Sequence, residues 1–121
     1  MKTLFTILVL FFTSSLTAEE YASWGIITDT CENSLEIISL SKEIGDFEHD
    51  LTNKIYRGVM QSYMSGINNW TYEKFGMFKH LNYNSIDYAY SYLLNYCEKN
   101  PNNQIVDGVI KYFVELPFIE N

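Results

Sequence analysis

Apolar positions along this chain recur mostly every three or four residues, the spacing of one face of an α-helix. The pattern is clearest between Phe47 and Trp70, where Leu51, Ile55, Val59, Tyr63, Ile67 and Trp70 predict one long amphipathic helix. Gly58 and Gly66 fall inside it, each costing up to ~1 kcal/mol relative to Ala. They predict close packing by another element or an early end near Gly66. Downstream, Ser85 is a capping residue, Asp87 suits the positive end of the helix dipole, and Ile86, Ala89, Leu93 and Cys97 form one stripe. Asn100-Pro101 stops this helix, because the residue before proline avoids helical geometry. A further helix is predicted from a cap at Asn103, with Val106, Val109, Ile110, Phe113 and Leu116 as its apolar face and Pro117 closing it. So short a turn predicts a packed helical hairpin. Upstream, a cap at Asn33 precedes Leu35, Ile37, Ile38 and Leu40, predicting a short helix that ends before Gly45. The segment Tyr21 to Thr30 is aromatic and β-branched and predicts extended chain. Thr71 to Asn84 reads as a loop, with at most a turn of helix around Tyr72 to Met77. The expected fold is mostly α: a small single-domain bundle of about four helices.

Residues 1–18 break this pattern. Lys2 is followed by an apolar run from Leu4 to Phe12, then by polar residues Thr13 to Thr17 and Ala18. The order is that of a secretory signal peptide, cleaved after Ala18, although Leu16 at the minus-three position is larger than usual. The run is too short for the ~20 residues a bilayer-spanning helix needs. No cysteine follows it to mark a lipoprotein. Residues 19–121 are thus expected to be a single helical exported domain, periplasmic or secreted, with no membrane span. The full chain's formal charge of −7, which becomes −8 without Lys2, argues against nucleic acid and anionic lipid as partners. Near pH 2 the same domain would carry about +10, since its carboxylates are then neutral.

Outside the cytoplasm the only two cysteines, Cys31 and Cys97, have each other as partners, and a disulfide is expected. Neither lies in a Cys-x-x-Cys motif. His49, between Glu48 and Asp50, and His80, after Lys79, are the candidate bases for Ser62 or Ser65 and the candidate metal ligands. Their spacing matches no zinc or hydrolase motif, so both read as surface histidines. Glu32, Glu36, Glu43, Asp46, Glu48 and Asp50 read as a solvated acidic face. No catalytic residue, metal ligand or cofactor is expected. Among the ten tyrosines, Tyr83, Tyr88, Tyr90, Tyr92 and Tyr96 cluster too densely to share one helix face. Tyr83, Tyr88, Tyr90 and Tyr92, beside Asn82 and Asn84, are therefore the candidate partner-binding residues, Tyr being common at interfaces. Asn69-Trp70-Thr71 fits the N-glycosylation pattern, which matters only in a eukaryotic secretory pathway.

Two passages carry a resemblance. Tyr63-Met64-Ser65-Gly66-Ile67-Asn68, followed by Tyr96-Cys97-Glu98-Lys99-Asn100-Pro101 and a last helix, resembles a group of small exported bacterial proteins. The group includes the HdeA-type periplasmic acid-stress chaperones and, more distantly, periplasmic immunity proteins that block type VI secretion effectors. Thr30-Cys31-Glu32 with Leu35 is similar to the segment around the first HdeA cysteine. The resemblance implies a helical domain held by one Cys31–Cys97 bridge, with Tyr63 and Pro101 as structural motif residues, Gly66 allowing close helix contact, and Asn68 or Asn100 capping or bridging turns. The cysteines stand farther apart here than in the chaperones, and the extra cysteines of many immunity proteins are missing. The expected function is non-catalytic protein binding. One form is a chaperone that captures unfolded clients when acid loosens it; the alternative is an immunity or inhibitor protein against one secreted enzyme. A homodimer is compatible with either, and a cell-wall hydrolase is the remaining class.

Overall fold

The computed structural model describes residues 25–119. The leader and its cleavage site lie outside the described residues, as does the part of the expected extended segment before residue 25. Residues 25–27 are helical rather than extended, and the chain turns at 28–29 into the first full helix. Helix α1, Cys31–Ile44, is capped by Thr30, not Asn33: the Thr30 hydroxyl accepts from the Asn33 N–H at 3.2 Å. Asp29 reinforces this start by accepting from the Asn33 amide at 2.7 Å. Asn33 is thus a helical residue, because the turn that precedes it already places Thr30 in the extended conformation a cap requires.

A single residue, Gly45, joins α1 to α2, Asp46–Phe75. At 30 residues α2 is about 45 Å long. It runs straight through Gly58 and Gly66, where an added Cβ would meet nothing within 4 Å. Neither glycine marks a close approach, and the expected end near Gly66 moves to Gly76, whose φ of +67° terminates the helix with its N–H on Tyr72 O. The expected loop is correspondingly shorter. It contains β1, Phe78–Lys79, which pairs antiparallel with β2, Phe118–Ile119, matching Phe78 with Ile119 and Lys79 with Phe118.

Helix α3, Ile86–Lys99, begins at Ser85 as expected, with the Ser85 hydroxyl accepting from the Tyr88 N–H. Helix α4, Ile105–Glu115, is capped one residue later than expected, by Gln104 in a reciprocal capping box with Asp107. On α4 the residues turned inward are Ile105, Val109, Tyr112, Phe113 and Leu116, while the expected face members Ile110 and Val106 are exposed and half-buried. Here the close approach does fall on a glycine. A Cβ on Gly108 would lie 2.7 Å from both Leu93 Cδ1 and Tyr96 Cδ1, so α4 needs that position bare to lie against α3.

The start of α1 locks onto the α3–α4 turn. Its first backbone donors, which no helical carbonyl satisfies, find Asn103 O from Cys31 N at 2.7 Å and Pro101 O from Glu32 N at 2.9 Å. Cys31 and Cys97 form a disulfide across 66 residues, with a Cα–Cα distance of 4.8 Å and both residues fully buried. Around it packs the core: Tyr56, Met60 and Met64 of α2, Ala89, Tyr90 and Leu93 of α3, and the inner face of α4. The product is a small all-α domain, and among the described residues no helix is long and apolar enough to cross a membrane.

Candidate partner-binding surfaces

The tyrosine cluster divides among environments. Tyr83 and Tyr88 are exposed, at 63% and 56%. Tyr90 is buried: its hydroxyl donates to Asn53 Oδ1 at 2.6 Å, and the Arg57 guanidinium lies 5.2 Å from its ring centre. Burial, with the neighbouring Tyr56 second, pushes the Tyr90 phenol up to about 12 against the opposing Arg57 charge. Tyr90 therefore belongs to the core and offers nothing to a partner. Tyr92 is half-buried, its ring 5.2 Å from that of Tyr112, while Tyr88 sits 6.5 Å from the same ring. Desolvation, then the Glu115 carboxylate, pushes Tyr92 up to about 12. Tyr88 and Tyr92 thus face α4 together, whereas Tyr83 stands edge-on to His80.

The residues of the resemblance occupy structural joints. Asn68 grips β1 from both sides, accepting from the Lys79 N–H at 2.7 Å and donating to Lys79 O at 2.9 Å. Lys79 then reaches across to donate to Leu116 O at 2.6 Å and Val114 O at 3.0 Å. Asn100 caps α3 through its backbone and side chain on Tyr96 O, and Pro101 supplies the carbonyl that receives α1. Tyr63 is half-buried and Gly66 exposed.

His80 is exposed, but His49 is a partly buried link in a chain of hydrogen bonds. Tyr90 donates to Asn53 Oδ1, so the Asn53 amide nitrogen is the end that faces His49 Nε2 at 3.2 Å. Nε2 must accept. The ring hydrogen is consequently on Nδ1 and donates to Ser41 Oγ at 3.2 Å, while the Ser41 hydroxyl donates to Ile38 O at 2.6 Å. The expectation of a surface histidine fails here because the tight Gly45 turn brings Ser41 opposite His49. Both ring nitrogens are occupied by structural partners, and Ser62 and Ser65 lie exposed elsewhere on α2. Among the described residues no three His, Cys, Asp or Glu side chains gather in a way that could hold a metal ion. A cleft of about 210 Å³ between α2 and the start of α3 is lined by Gln61, Met64, Ser65, Leu81 and Asn84 among others, and no acid, base or thiol lines it.

What the folded surface does display is apolar. Helix α1 packs chiefly along α2, with its disulfide-linked start against α3, and the two helices form an arm whose tip is the Gly45 turn. Ser34 and Ser41 of α1 are buried, while Cys31 faces α3. Helical spacing then carries Ile37, Leu40 and Ile44 to the side of the arm away from α3. Leu51 and Ile55 take the same side of α2, with Phe47 beside them. All six are exposed, Ile44 at 72% and Phe47 at 75%. Glu36 and Glu43, a heptad apart, flank the α1 stripe, and Asp46, Glu48 and Asp50 crowd the start of α2. Lys42 and Lys54 are the exposed cations interspersed with them. The only ion pair among the described residues is Arg57–Asp87, so none of these five carboxylates is neutralised by a close cation.

A second apolar region lies at the far end of α2, where Trp70, Tyr72, Phe75 and Met77 are exposed beside Phe118 and Ile119. Its rings are largely engaged with one another, Trp70 edge-on to Phe75 at 5.8 Å and Tyr72 to Phe78 at 5.5 Å. Charge there is mixed, with Glu73 beside Lys74, and Lys79 Nζ is 4.0 Å from the Phe118 ring centre. No known protein family, curated protein or solved structure matches the chain.

Proposed function

We propose that this protein is a non-catalytic protein-binding domain of an extracytoplasmic compartment, and that it acts as an immunity or inhibitor protein on one specific partner. The observation that supports this is the apolar surface of the arm. A contiguous apolar patch rimmed by polar residues is the usual mark of a protein interface. Because Ile44 and Phe47 are already exposed in the folded state, no unfolding step is needed to present them. The buried disulfide supports the compartment, since such bridges persist where the milieu is oxidising.

A stoichiometric complex with a single secreted enzyme, formed at neutral pH and inhibiting that enzyme, is the expected result of co-expression with toxic effectors encoded beside it. Binding of many unrelated unfolded proteins, appearing only in acid, would overturn it. The periplasmic chaperone reading has its own support in the reversal from negative to strongly positive charge. Circular dichroism and binding of an apolar dye from pH 7 to pH 2 separate the two: the inhibitor keeps its fold, and the chaperone loosens and gains dye.

A further inference from the structure

The exposed face of the α1–α2 arm combines two features that together select the chemistry of what covers it. The first is shape. Ile37, Leu40 and Ile44 on α1 and Leu51 and Ile55 on the antiparallel α2 are exposed apolar stripes side by side, and a third helix packs along such a pair of ridges. The second is charge. By helical spacing Glu36 and Glu43 flank the α1 stripe and Glu48 shares the side of Leu51 and Ile55, with Lys54 beside them, which leaves this face two charges negative among these four exposed groups. Among the described residues, none of the three carboxylates has a cation within 4.0 Å.

A second copy of this chain is a poor occupant. Two such arms placed face to face would bring both carboxylate borders together at neutral pH, and like charges juxtaposed across an interface are strongly disfavoured. The opposite charge is favoured for the same reason. We infer that the outer face of the α1–α2 arm is the docking site for a basic amphipathic helix of the partner, its apolar residues seated along Leu40, Ile44 and Leu51 and its Lys or Arg side chains meeting Glu36, Glu43 and Glu48. This inference rests on the protein-binding role proposed above and locates it on one surface.

The aromatic region at the far end of α2 is not an equivalent site. Its rings already pack edge to face, and its charges are mixed, with Glu73 beside Lys74 and Lys79 over the Phe118 ring. The same contrast provides the internal control.

The test uses the oxidised full domain and two fluorescent 18-residue helical peptides with the same leucine face, one with lysines on its polar face and one with glutamates. Anisotropy titrations at low and moderate salt are expected to show the lysine peptide binding at least tenfold more tightly than the glutamate peptide, with the preference shrinking as salt rises. Leu40→Ser with Leu51→Ser, both at half-exposed positions, should weaken the lysine peptide tenfold or more with an unchanged circular dichroism spectrum. Glu36→Lys with Glu43→Lys should reverse the peptide preference while leaving the apolar residues intact. Trp70→Ser with Phe75→Ser should change neither. If the Trp70 and Phe75 pair abolishes binding and the arm variants do not, the placement is wrong although the binding role stands. If sedimentation shows the unmodified protein to be a dimer that the leucine variants dissociate, the occupant is a second copy and this inference falls. If the lysine peptide does not bind at all, the inference falls as well, while the co-expression experiment decides the binding role separately.

Discussion

Cys31, at the start of α1, is inaccessible to solvent, whereas Ile44, at the end of the same helix, is 72% exposed. The difference follows from what each end has to pack against. The first turn of α1 is held by the disulfide, by two backbone bonds to the α3–α4 turn, and by the Thr30 cap. The last turns lie along α2, and the seam between the two helices is lined by a polar chain, Ser41, His49 and Asn53, that ends on buried Tyr90. Polar seams of this kind specify register through directional bonds, while apolar burial supplies most of the stability. The molecule thus divides into an end that is built for stability and an arm that is held in place while its apolar side chains stay uncovered. Apolar residues that do nothing for the fold are the ones available to a partner.

The largest effect is expected at the bridge. Cys97→Ser with Cys31→Ser, or reduction, removes a cross-link over 66 residues worth ~4 kcal/mol in the chain-entropy account, and urea unfolding should show the loss. If the stability barely changes, the backbone bonds of the α3–α4 turn hold the start of α1 unaided. Next comes Gly108→Val. Its side chain would drive into Leu93 and Tyr96, and overpacking of this kind costs about 1–3 kcal/mol, visible as a lowered melting temperature. The same change at Gly66 should be free of clash, which isolates the α3–α4 approach as the cause.

Smaller effects probe the seam. Tyr90→Phe leaves Asn53 Oδ1 without its donor and should cost ~1 kcal/mol near pH 7, measured by denaturant titration. The pH dependence has a definite sign. The folded Tyr90 phenol is raised to about 12 from the usual 10, so the protonated side chain favours the folded state, and that contribution is complete below pH 10 and lost as pH rises toward 12. Unfolding free energy should accordingly decline across this alkaline window in the native protein and decline less in Tyr90→Phe; parallel curves would show that the phenol is not desolvated. The smallest change runs the other way. Gly66→Ala, in open space on a helix of ordinary geometry, should stabilise the protein by up to ~1 kcal/mol through helix propensity, and a loss instead would reveal a close neighbour there.

The helices themselves were largely legible. Three- and four-residue spacing marked α2, α3 and α4, Ser85 announced a cap, and Asn100-Pro101 announced a stop, because these signals act within a turn or two of chain. Their limits were harder to read. Thr30 and Gln104 displaced the expected caps Asn33 and Asn103, since several residues nearby could cap equally well in isolation and an antiparallel bridge between Thr30 and Gln104 selects the pair used. The four tyrosines proposed as one surface were separated because their helix turns Tyr90 toward Arg57 and Asn53 on α2. No local pattern distinguishes a tyrosine that packs inward from one that faces solvent.

Sequence alone determined the class of the domain, mostly helical and with a cysteine pair, since periodicity and capping are local properties of the chain. Only the tertiary structure decided which apolar stripes are covered. Ile37, Leu40 and Leu51 have the same periodicity as the residues of a core-facing stripe, and a helix stripe is silent about whether another element will lie on it. The disulfide and the α3–α4 turn gather the other helices around one end of α1 and the middle of α2. The number of helices is then insufficient to cover the arm, and its apolar side chains, indistinguishable by spacing from core residues, remain on the surface with an unneutralised acidic border.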